Sequence, residues 1–81
     1  MTFRELDTVV LDRDLPEHDL RRGDLGAVVH RHGSDAYEVE FVRASGQTQA
    51  VISLQAADIR SVHDGDLPAV RAVPPRSFTA Q

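Results

Sequence analysis

"AYEVEFV", residues 36–42, alternates Tyr37, Val39 and Phe41 with Glu38 and Glu40. Successive side chains of a strand point to opposite faces, so this spacing predicts a strand with an apolar core face and a wet acidic face. Working outward, "ASGQ" follows with Gly46 available for a tight turn. "TQAVISL" then puts Ala50, Ile52 and Leu54 on one parity, and Gln49, Val51 and Ser53 on the other. On the other side, "GSD" is a hairpin-length connection containing Gly33, preceded by "LGAVVHRH", a strand over 25–32. Further upstream, the branched run of "ELDTVVL" predicts a strand at about 6–11. A polar loop over 12–24, with Pro16 inside it and Gly23 at its end, separates these two strands. Downstream, "LQAAD" has room for one helical or 3₁₀ turn, and "DIRSV" supplies a last short strand with Ile59 inward.

Helical periodicity is nowhere sustained over three turns, so the fold class is all-β. Five short strands, a long first loop, two tight hairpins and one helical turn before the last strand resemble the succession of an SH3-like barrel. Curling the sheet in this way would remove most of its edges from solvent. Gly26 sits where the second strand must bend, because a residue without Cβ lets another chain approach closely. The expected core is Tyr37, Val39, Phe41, Ile52 and Ile59, with Val28 starting the buried row of the second strand. The barrel takes residues 1–62. Residues 63–81 form an irregular tail, with Pro68, Pro74 and Pro75 set against any regular element.

The chain has 81 residues, enough for one domain, and domains near this size bury only about 60% of their unfolded surface. A partner or a second copy would add to that burial. With no cysteine there is no disulfide, thiolate metal site or thiol nucleophile, which suits a reducing compartment. The start lacks the apolar core of a secretory signal, and no apolar run approaches the roughly 18 residues of a membrane span. The sequence therefore predicts a soluble cytoplasmic protein that does not engage membranes. All nine basic residues are arginine, and residues 1–66 hold seven of them against thirteen acids, a formal −6. That sign disfavours phosphate binding, which depends on cations that displace counterions, and suits a basic protein partner.

"GDLGAVV" is similar to the KOW-type step of SH3-like barrels in some ribosomal proteins and transcription factors, matching at Gly23, Gly26 and Val28. Over about residues 3–62 the chain resembles the small bacterial family catalogued as domain of unknown function 4926. That likeness rests on "ELDTVVL", "DLPEHDLRRGDLGAVVH", "AYEVEFV" and "VISL" in this order. It implies an SH3-like barrel and an antitoxin or immunity-type role beside a toxin gene, and it carries over no catalytic residue. Related barrels form the small domain of nitrile hydratase-like subunits, which would imply an accessory subunit.

Candidate sites follow from these readings. Asp35, Glu38 and Glu40 form an acidic stripe suited to arginines or lysines of a partner protein. Leu67, Val70 and Phe78 give the tail apolar surface to bury against a partner. An RNA-binding alternative would use Arg21 and Arg22, but Asp19 and Asp24 flank them, and stacking aromatics are missing because Tyr37 and Phe41 belong to the core. A proline-peptide groove cannot be built with no tryptophan and one tyrosine. His30 and His32 share a strand face, yet two imidazoles without a third ligand predict no metal site. No serine sits in a nucleophile elbow, and Glu38 and Glu40 stand in water with nothing to separate their pKa values. The sequence thus predicts a protein-binding module without cofactor or catalysis, with homo-oligomerisation open.

Overall fold

The computed structural model describes residues 2–74. Five antiparallel strands make one sheet: β1 (Thr8–Leu11), β2 (Leu25–His32), β3 (Ala36–Val42), β4 (Thr48–Gln55) and β5 (Ile59–Ser61), ordered β4-β3-β2-β1-β5. One 3₁₀ turn, Pro16–His18, lies in the first loop, and another, Ala56–Asp58, delivers the chain into β5. The β2–β3 and β3–β4 connections are hairpins, and β5 returns to pair with β1 through Leu11 and Ile59. The fold is all-β with the expected succession. The hydrogen-bonded ladder is not closed, however: β4 and β5 are its two edges.

The alternation in β3 is realised in full. Tyr37, Val39 and Phe41 are buried, while Glu38 and Glu40 are half-buried on the opposite face. Around them pack Val9, Leu11, Val28, Leu54 and Ile59, with Ile52 partly buried against the cluster. Each such large apolar side chain contributes about 1.5–3 kcal/mol on leaving water. Gly26 lies against β3 so closely that an added Cβ would stand 2.6 Å from Val39 Cγ1 and 2.9 Å from Phe41 Cε1.

Several features depart from the sequence expectation. β1 begins at Thr8, not at 6, because residues 4–7 form a turn: Arg4 N donates to Asp7 Oδ2, Asp7 N donates to Arg4 O, and Leu6 has a φ of 75°. Phe3, just before that turn, is buried and meets the Tyr37 ring edge-on at 5.4 Å, while its N–H donates to the Tyr37 hydroxyl. The loop over 12–24 is not a solvated connection. Leu15 and Leu20 bridge across the Pro16–His18 turn and both enter the core. In β4 the parity fails at Gln49, which a register shift between Phe41 and Val42 leaves as an extra, buried residue. Its amide is satisfied there: Arg43 Nε donates to Gln49 Oε1 at 2.8 Å, and Gln49 Nε2 donates to His18 O at 3.3 Å.

Candidate functional site

After β5 the chain turns back on itself. Asp66 accepts two bonds from the Arg60 guanidinium, at 2.9 and 3.0 Å, and a third from the His63 N–H at 2.7 Å. The Arg60 guanidinium and the His63 amide hold the Asp66 carboxyl well below the usual carboxylate range. Five residues later a second clamp closes. Arg71 gives two bonds to the carboxylate of Asp24, at the entrance to β2, and one to Asp19 O. The bidentate Asp24 contact raises the Arg71 pKa further above its ordinary value. No strand or helix occurs from 62 to 74, yet these clamps strap the segment across the sheet.

Beneath the strap lies a cleft of about 820 Å³, within the 300–1,000 Å³ range of ligand pockets. Its floor is the outer face of β2, β1 and β5, where Leu25, Val10 and Arg60 sit side by side in register. Alternation alone would expose Val10, since Val9 and Leu11 face the core, but it is 3% exposed. Val42 at the end of β3 and Val62 just past β5 border the cleft, and Leu67, Val70 and Val73 line it from the strap. Among the described residues, five of the eight large apolar side chains with substantial exposure, Leu25, Val42, Val62, Leu67 and Val70, are gathered here.

The sequence-predicted residues divide into three groups. Leu67 and Val70 reach the cleft and are 88% and 93% exposed, whereas Phe78 lies outside the described residues. Glu38 and Glu40 share a face but have local partners: His32 Nε2 lies 2.9 Å from Glu38 Oε2, and the Thr48 hydroxyl donates to Glu40 Oε2 at 2.6 Å. Asp35 is exposed in the hairpin before them. Arg22 pairs with Asp12 at 3.1 Å, and the Arg21 N–H donates to Asp24 Oδ2, so carboxylates surround the arginines of the RNA reading. The rings of His30 and His32 meet edge-on at 4.5 Å, and the described residues contain no group of three or more potential metal ligands. No helix among the described residues is long and apolar enough to cross a membrane.

Sequence reasoning did not find Val10, Leu25, Val42, Val62, Arg43 or the Asp24–Arg71 clamp as parts of one site. Their only linear signal was apolar residues on wet parities and at strand ends. Their assembly depends on where the tail crosses the sheet.

A small all-β domain with an apolar cleft under a clamped strap defines the class: a compact five-stranded β-module. More particularly, residues 5–61 match the family described as Domain of unknown function (DUF4926), and the chain belongs to it. No curated protein and no solved structure matches the chain.

Proposed function

We propose that this protein is a non-enzymatic protein-binding module of the bacterial cytoplasm, and that it receives an apolar segment of another protein in the cleft under the strap. The observation that carries this reading is the concentration of exposed apolar side chains there: Leu25, Val42, Val62, Leu67 and Val70 line one cleft. Contiguous apolar surface of this kind marks interaction sites when polar residues rim it. Here the charged pairs that line the cleft, Asp24 with Arg71 and Asp66 with Arg60, stand beside the apolar side chains, each charge already neutralised by its partner. An antitoxin or immunity-type protein and an accessory subunit are both modules of this kind, and each has one cognate partner. The absence of cysteine suits a reducing compartment. The stripe of Asp35, Glu38 and Glu40 is a secondary contact for basic residues of the partner, weakened by its local hydrogen bonds.

The test is affinity capture from the source cell, followed by titration with the captured protein made pure. Val42 and Val62 are both about half exposed, so a V42D/V62D variant should keep the melting temperature of the parent. It should bind the pure partner at least about tenfold more weakly, since truncating an apolar anchor at an interface costs about 1 kcal/mol or more. Equal affinity for parent and variant would remove the cleft from the interface.

A further inference from the structure

The chain carries a formal net charge of −4, but its cleft is locally of the opposite sign. Among the described residues, five charged ones line it: Arg43, Arg60, Arg71, Asp24 and Asp66. Two of the arginines are matched, Arg60 by Asp66 and Arg71 by Asp24, and the third is not. Arg43 follows β3, and it meets no carboxylate among the described residues. Its Nε donates to the buried Gln49 side chain at 2.8 Å, which fixes the plane of the guanidinium. A guanidinium has five N–H donors, and this contact uses one. The cleft therefore combines an apolar floor, two self-neutralised clamps and one oriented cation with donors to spare.

We propose that the cleft selects an apolar peptide segment of a partner protein that bears a carboxylate, and that Arg43 receives this carboxylate. The inference rests on the protein-binding reading above and names the chemistry of the segment bound. Opposite charge placed beside an apolar groove fixes register and excludes wrong partners. A basic segment would meet the unmatched Arg43 and be repelled, even though the whole protein is acidic. A guanidinium matches the planar geometry of a carboxylate better than an ammonium does, so arginine suits this role.

The experiment pans a displayed library of random twelve-residue peptides against the full-length protein, and then measures synthetic peptides by fluorescence anisotropy. Peptides that lose binding to V42N/V62N, which makes the cleft polar without changing its charge, report on the cleft. The expected result is that these combine large apolar residues with Asp or Glu. Changing the acid of such a peptide to its amide should weaken binding to the parent about fivefold, the scale of a partly exposed ion pair. The same change should leave affinity for an Arg43→Gln variant unaltered. Because the decisive change is made in the peptide, the comparison holds even if R43Q disturbs Gln49. Cleft-dependent peptides whose acid and amide forms bind alike, or which are predominantly basic, would overturn this inference and leave the protein-binding reading standing. A library that yields no V42N/V62N-sensitive peptide would overturn both.

Discussion

Gly26 and Gly65 are two glycines with opposite consequences. A Cβ on Gly26 would fall within 3 Å of Val39 Cγ1 and Phe41 Cε1 and 3.1 Å from Glu40 O, all held in the packed centre of the sheet. Neither side chain has a free end that can swing away, so Gly26→Ala should destabilise the protein by about 1–3 kcal/mol, the cost of overpacking a core. Gly65 has nothing within 4 Å of its Cβ position, and Gly65→Ala should stay within about 0.5 kcal/mol of the parent. Urea unfolding of the two variants checks the contrast, and equal midpoints would show that β2 and β3 separate more easily than their contact implies. Tyr37 presents a related case. Its buried hydroxyl accepts the Phe3 N–H and donates to Ser34 O, both at 3.2 Å. Tyr37→Phe keeps the ring contact but leaves the Phe3 amide without its acceptor, an expected loss of about 1–3 kcal/mol in the same titration.

The strap is held mainly by charge, which decides how it should respond to solvent. Leu67 and Val70 stay almost fully exposed, and the residues between the clamps bury little of themselves. Removing a clamp should therefore free the strap without unfolding the sheet. Arg71→Gln should accelerate thermolysin cleavage between 66 and 73 while the melting temperature hardly moves; 1 M salt, which shortens the screening length to about 3 Å, should act on the parent in the same direction. Unchanged cleavage would mean that apolar contacts hold the strap. The two ends also differ towards acid. A carboxyl depressed in the folded state contributes stability above its unfolded pKa, about 3.9, and loses it only as pH falls through the lower folded value. The Asp66 carboxyl is depressed by Arg60 first and the His63 amide second, so the Arg60–Asp66 clamp should persist through mild acid. Carbon-13 NMR of the Asp66 carboxyl should show it titrating well below an ordinary aspartate, and in Arg60→Gln moving back towards the usual range. A normal titration in the parent would mean that solvent competes successfully for the guanidinium.

At the scale of the whole molecule, the parts legible in the sequence are those whose cause is local. Tyr37, Val39 and Phe41 declare a strand and its buried face within seven residues, and the turns at Gly33 and Gly46, both with positive φ, bound it. Leu15 and Leu20 were hidden because their burial requires the first loop to fold back around Pro16–His18, and Gln49 because one bulge reverses parity. Val10 and the cleft were hidden for a longer-range reason. Both lie where a segment more than 50 residues downstream of β1 runs back towards Asp24, and alternation carries no information about that return. The same distinction predicts how the molecule tolerates loss of either terminus. Among the described residues, every buried apolar side chain lies between Phe3 and Ile59, so the strap covers the sheet without supplying core. A chain ending at Val62 should still fold, giving dispersed amide resonances and a single unfolding transition. Its loss should be on the order of 1.5–3 kcal/mol, the scale of exposing one large apolar side chain, because the strap lines the cleft without entering the core. Phe3→Ala, a single change near the other end, should cost more, about 3–5 kcal/mol, since it empties a site packed against Tyr37. Urea titrations of the truncated and substituted chains rank the two losses. A truncated chain that fails to fold while Phe3→Ala remains stable would reverse the order and make the strap part of the core.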